Sequence, residues 1–241
     1  MIPEGKIQEF VKRICEAAGE NLEGVILYGS AANGSYDPEF SDLNFLCLLR
    51  DTSFAKLSSL AAFARWWNGL KQPAPQWMSR AELEAATDVF TIELIDMQQH
   101  RRVLHGEDVI ASLQIPRHMH RAQIEYELRE KLVLLRQRAL LADGKEKLLW
   151  DLLVNSAPSF ATLFRHALIA LGHPASIDRR AAVDELSKFV EFESSAMLQV
   201  LDVREHKLQA RKLDVRTLFA SYLNAIEKVT AAIDKAFQPG D

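Results

Sequence analysis

The chain has 241 residues, is 48% hydrophobic and 26% charged, and carries a formal net charge of −4 with a pI near 6.0. These values exclude a chain disordered along its length and remove any bulk electrostatic reason for binding nucleic acid. They allow one large domain or two modest ones, each able to bury a core.

The opening residues, MIPEGKIQEF, lack the positive start and apolar stretch of a signal peptide. No apolar run approaches the length of a membrane span, so the expected compartment is the cytoplasm. Ile7, Phe10, Val11, Ile14 and Ala18 then recur at helical spacing until Gly19. Cys15 on that segment and Cys47 further on both sit at apolar positions, where free cysteine packs as a small hydrophobe. They predict neither a disulfide framework nor a metal knuckle.

Residues 25–49 read VILYGSAANGSYDPEFSDLNFLCLL. A short apolar run stops at Gly29-Ser30, a polar loop follows, and a second apolar run opens at Asp42. The pattern predicts strand, tight turn, loop, strand. On a strand the side chains alternate, which places Asp42 and Asn44 together on one face and Leu43 and Phe45 on the other. Two oxygen-bearing side chains beside a turn of this kind suit the handling of a phosphate and a hard cation.

Further along, Phe54, Leu57, Leu60, Ala61, Ala64 and Trp67 predict a helix over residues 53–70. A short strand is expected at 76–78, and Ser79 with Glu82 fits a capping box for a helix over 79–86. Residues 89–97, VFTIELIDM, are rich in β-branched side chains and read as a strand. Glu93 and Asp96 lie within it. An ionised carboxylate in a buried strand costs several kcal/mol (~) unless a partner or metal compensates, so these two acids are candidates for chemistry. They have opposite parity on a strand, and Glu93 falls on the less apolar face. An edge strand at 102–104 and a turn, HGED, close this part of the chain.

From about Ile115 onward strand-like runs vanish and amphipathic helices take over. The first begins near Arg117, and the second is interrupted by Pro158, which is expected to kink or break it. Ser176 or Asp178 would cap the third, a fourth covers 196–208, and Asp214 would cap the last. Short connections predict an up-and-down bundle. The fold class is therefore α+β, a small mixed-sheet domain over residues 1–114 followed by an all-α helical bundle over 115–241. The leucine-rich helical surface makes a homodimer an expectation. His166 follows Arg165 in an apolar segment and reads as a satisfied core histidine.

Gly29-Ser30, the spacer, and Asp42-x-Asn44 between two apolar strands resemble the hallmark of the DNA polymerase beta-like nucleotidyltransferase superfamily, a Gly-Ser turn followed by Asp-x-Asp or Asp-x-Glu on a strand. The two-part plan resembles the aminoglycoside-type bacterial members. The resemblance implies a nucleotidyltransferase domain in which Gly29 and Ser30 grip a triphosphate. By the same resemblance Asp42, Asn44 and Glu93 hold Mg2+, and Glu93, or alternatively Asp96, takes the acceptor's proton. The implied reaction moves a nucleoside monophosphate from an NTP, expected to be ATP, to a small-molecule or protein hydroxyl. A nucleic-acid template is not expected. Asn44 stands where the family pattern has a second acid, which supports an alternative: a degenerate member that binds nucleotide or a partner without turnover.

Overall fold

The computed structural model describes residues 2–142 and 144–237. They form two compact units that divide between Pro116 and Arg117. The first is a mixed four-stranded sheet with helices, the second is helical, and the fold class is α+β.

In the first unit the sheet order is β3-β2-β1-β4, with β1 spanning Leu22–Tyr28, β2 Asn44–Leu49, β3 Gln76–Met78 and β4 Arg101–Gly106. β1 pairs antiparallel with both β2 and β4, and β2 pairs parallel with β3. Alternation along β1 and β2 divides the buried side chains between two cores. Val25, Leu27, Phe45, Cys47 and Leu49 face α1 (Glu4–Ala18) and α4 (Ala61–Gly69). There Phe10 of α1 stacks on Phe45 at 3.7 Å, and Trp67 of α4 meets Phe10 edge-on at 4.7 Å. Such ring pairs add about 0.5–1.5 kcal/mol beyond the area they bury. Ile26, Leu46 and Leu48 face the other way, toward Leu83 of α5 (Arg80–Ala85) and Leu94 and Met97 of α6 (Thr91–Gln99).

Two expectations are corrected here. The single helix expected over 53–70 is divided into α3 (Phe54–Ser59) and α4, with Leu60 between them at φ −86° and ψ 0°. The Ser59 hydroxyl donates to the Lys56 carbonyl at 2.6 Å, a local bond that competes with the helical ladder. More consequentially, residues 89–97 are not a strand: α6 occupies Thr91–Gln99. Thr91, Leu94 and Met97 recur every third residue and are buried together, so the segment gains more by laying a helical stripe over the sheet than by joining it. The capping box is as expected, with the Glu82 amide donating to Ser79 Oγ at 3.2 Å and the Ser79 amide to Glu82 Oε2 at 2.6 Å.

The helical unit is gathered round α8 (Glu146–Ala170), which packs against α7 (Arg117–Ala142), α9 (Arg179–Phe189), α10 (Ser195–Arg204) and α11 (Val215–Phe237). Asp178, the capping choice the sequence left open with Ser176, accepts from the Ala181 amide at 2.8 Å, and Asp214 accepts from Arg216 at 2.8 Å. Of the kink or break expected at Pro158, the break does not occur: α8 runs through it. Proline has no amide hydrogen to offer the Val154 carbonyl one turn back. Arg204 of α10 supplies the missing donor, its Nη1 reaching that carbonyl at 2.9 Å.

His166 is fully buried, as expected of a core histidine. Its Nε2 lies 3.2 Å from Arg165 Nη2, and its Nδ1 lies 2.9 Å from His120 Nε2. Arginine only donates, so His166 Nε2 accepts, its proton sits on Nδ1, and His120 Nε2 receives it.

Candidate functional site

The site is built where β1 ends. Gly29 has φ 75° and ψ −154°, a backbone region essentially restricted to glycine. A Cβ at Gly29 would also lie 3.1 Å from the Asn44 amide nitrogen. Dihedral and space therefore both demand glycine, and the Asn44 side chain is located against the turn. The Gly29 carbonyl accepts from the Ala32 and Asn33 amides at 3.0 and 3.2 Å, which starts the one-turn helix α2 (Ser30–Asn33). The first amides of such a turn, those of Ser30 and Ala31, have no helical carbonyl behind them.

The loop back to β2 is tied by its own side chains. Asn33 Oδ1 accepts from Ser35 Oγ at 2.6 Å, Asp37 Oδ1 from the Glu39 amide at 2.8 Å, and Ser41 Oγ from the Asp37 amide at 2.9 Å. Gln72 Oε1 accepts from the Leu43 amide at 2.9 Å. These bonds deliver the chain to Asn44, which pairs with Tyr28 across the ladder. β2 begins at Asn44, so Asp42 is not on the strand as expected. It is exposed, two residues ahead of the strand.

Opposed residues of an antiparallel pair share a face, so Tyr28 and Asn44 lie on the side that carries Ile26 and Leu46. That is the side α6 covers. Glu93 belongs to α6, and together with Leu46, Gln76 and Phe90 it lines a small cavity beside β2 and β3. Its charge reaches the Tyr28 phenol, whose pKa is pushed up to about 12, first by burial and then by Glu93. The parity argument separating Glu93 from Asp96 does not apply, because residues three apart on a helix share a flank.

Arg101 anchors α6 from the neighbouring strand. Its guanidinium donates to the Met97 and Gln98 carbonyls at 3.1 and 2.7 Å, satisfying the C-terminal end of the helix, and grips Asp108 at 2.7 and 2.6 Å. That contact holds the Asp108 carboxyl below its usual range and commits the residue to structure. His105 is likewise engaged, its Nδ1 3.8 Å from Cys15 Sγ. Gly106 ends β4 where a Cβ would run into the Glu23 carbonyl. Arg50 stands at the far end of β2 beside Glu23, 3.5 Å away, six residues along the strand from Asn44. At about 3.3 Å per residue it is too distant to serve the turn.

The structure thus brings Gly29 and Asn44 into contact and sets Glu93 within electrostatic range of Tyr28, with Ser30 and Asp42 next to Gly29 and Asn44 in the chain. Sequence reasoning missed Tyr28 and the role of Arg101 in holding Asp108 and the end of α6. Tyr28 was signalled only as the last residue before the turn, and Arg101 by nothing local. Among the described residues, no three His, Cys, Asp or Glu gather as a metal-binding group. No described helix is long and apolar enough to cross a membrane.

No protein-family model and no curated protein sequence matches the chain. Among solved structures, it is similar to the spectinomycin adenyltransferase AAD(9) from Enterococcus faecialis, solved with ATP and spectinomycin. The TM-score is 0.55 at 14% identity, over 92% of this chain and 98% of that one. At that identity the likeness is one of fold.

Proposed function

We propose that the chain is a nucleotidyltransferase that moves a nucleoside monophosphate from an NTP to a hydroxyl of a small molecule or protein. The observation that carries this reading is the Asn44 amide packed on the Gly29 turn, with α6 presenting Glu93 to the same face of the sheet. The fold shared with an adenyltransferase solved with ATP supports it and makes ATP the first nucleotide to test.

In this reading the Ser30 and Ala31 amides and the Ser30 hydroxyl hold and orient the triphosphate. Glu93 accepts the proton of the acceptor hydroxyl as its oxygen bonds to the α-phosphorus. The bridging bond to the β-phosphate breaks and pyrophosphate leaves. Asp42, Asn44 and Glu93 offer only hard oxygen donors, which fits Mg2+. That ion takes one or two carboxylates and completes its shell with phosphate oxygens and water. Bound there with the triphosphate, Mg2+ would supply neutralisation of the charge that develops on the phosphates. Half-buried Tyr28, its pKa pushed up to about 12, stays neutral beside this face.

The test is pyrophosphate release by the full-length chain with Mg2+, each NTP in turn and a panel of hydroxyl-bearing acceptors. Release that needs both NTP and acceptor is expected, falling at least a hundredfold in Asp42→Asn and Glu93→Gln, the scale of a lost catalytic group. Asp96→Asn is expected to retain it. Asn44 itself favours a second reading, a degenerate fold that binds nucleotide or a partner without turnover. Nucleotide binding with no release, and release restored by Asn44→Asp, would overturn the enzyme in favour of that scaffold.

A further inference from the structure

Large apolar side chains on a surface helix usually face a neighbour, and a row of them left in water marks a surface built to be covered. α7 carries such a row: Tyr126, Val133, Leu134, Leu140 and Leu141, exposed between 40% at Leu134 and 80% at Leu140. Tyr126, Val133 and Leu140 recur every seven residues, as do Leu134 and Leu141, the repeat by which one helix meets another along its length. The remaining sides of α7 are engaged within the chain. Ile124, Leu128, Leu132 and Leu135 are buried, and Arg129 and Arg136 pair with Asp234 and Glu227 of α11 at 2.6 Å each. Beside Leu134 and Leu141 a cavity of about 460 Å³ opens between α7 and α8, with Arg138, Leu148, Asp151 and Phe160 in its walls.

We infer that this face docks a second copy of the chain, α7 against α7 in antiparallel sense, with a two-fold axis between Val133 and Leu134. The charge pattern selects that arrangement. Glu130 lies near the middle of the row, accepting from the Tyr126 hydroxyl at 3.3 Å. A parallel pair would set Glu130 against its own copy, a like-charge contact. In the antiparallel register Val133 meets the partner's Leu134, and Glu130 meets the partner's Gln137, whose amide donates to it. Tyr126 meets the partner's Leu141.

The same register explains the cavity. Tyr126 does not line the cavity in its own chain, and it lies about 22 Å along the helix from Leu141 at the cavity's far end, at 1.5 Å per residue. The partner's Tyr126 arrives there, with Arg138 and Asp151 offering its hydroxyl a donor and an acceptor. A rigid aromatic entering a preformed pocket is the kind of anchor that dominates binding energy at interfaces.

Sedimentation of the full-length chain over a dilution series tests this. The wild type is expected to be a dimer at micromolar concentration. The Val133→Glu/Leu134→Glu double variant, changed at exposed positions, is expected to be a monomer with an unchanged circular dichroism spectrum and melting temperature. The milder Tyr126→Ala should raise the dimer Kd at least tenfold. For the register, Tyr126→Cys/Leu141→Cys should form a cross-linked dimer on oxidation, while Tyr126→Cys alone should not. A wild type that stays monomeric throughout, a dimer that survives the double glutamate change, or equal cross-linking by Tyr126→Cys alone would overturn the inference.

Discussion

Two interruptions, one at Gly29 in the sheet unit and one at Pro158 in the helical unit, are resolved in opposite ways. In the sheet unit, Gly29 ends β1 in a backbone conformation that other residues do not adopt, with the Asn44 amide filling the space a side chain would need. In the helical unit, Pro158 removes a ladder bond from α8, yet the helix continues because Arg204 donates to the stranded Val154 carbonyl. A dihedral demand is local and steric, and no distant residue can relieve it. A missing hydrogen bond is a vacancy that any well-placed donor can fill. Glycine is therefore a reliable mark of local geometry, whereas proline marks only a need whose answer lies elsewhere in the fold.

The sharpest way to break this contrast is Gly29→Ala. Strain at such a dihedral costs about 1–3 kcal/mol, and the added methyl must also displace the Asn44 amide. A loss of about 2–3 kcal/mol in urea denaturation is expected, together with loss of pyrophosphate release. An unchanged midpoint would mean that the turn can relax after all.

Next in size is Arg204→Met. It leaves the Val154 carbonyl without its donor, at a cost of about 1–2 kcal/mol. In a Pro158→Ala background the ladder bond is restored, and the same change should cost clearly less. A double-mutant cycle reads the difference as coupling. Additive costs would show that Arg204 matters for reasons unconnected with the proline.

The smallest effect is expected at the Arg101–Asp108 contact that anchors α6. Arg101 holds the folded pKa of Asp108 below its ordinary value. Its contribution is therefore full above the unfolded carboxylate range and is lost as pH falls through the depressed folded value. The stability gap between wild type and Asp108→Asn should be constant near neutrality and shrink in strong acid, measured by urea midpoints across pH. A gap that widens in acid would contradict this reading.

How far a segment could be read in advance followed the reach of the forces acting on it. The capping box at Ser79 and the Asp214 cap rest on neighbours a few residues away, and their signals were legible. Residues 89–97 were not. Their β-branched composition favoured a strand, while the third-residue spacing of Thr91, Leu94 and Met97 favoured a helix. Only the availability of a sheet face carrying Ile26, Leu46 and Leu48 settled the choice. Glu93 consequently lies on a helix laid over the face of the sheet that carries Ile26 and Leu46, not on a strand within the sheet.

From its own letters the chain determined where backbone must turn, where helices begin, and which acids and amides lie near the Gly29-Ser30 turn in sequence. Those are decisions of steric contact and hydrogen bonding within a few residues, and they survive in any fold. Tertiary structure alone decided that Asn44 packs on Gly29, that α6 sets Glu93 beside Leu46 and Gln76 of the sheet, that Arg101 closes the end of that helix, and that Arg204 mends α8. Each of these joins residues far apart in the chain, and their energies exist only once the core has brought the partners together.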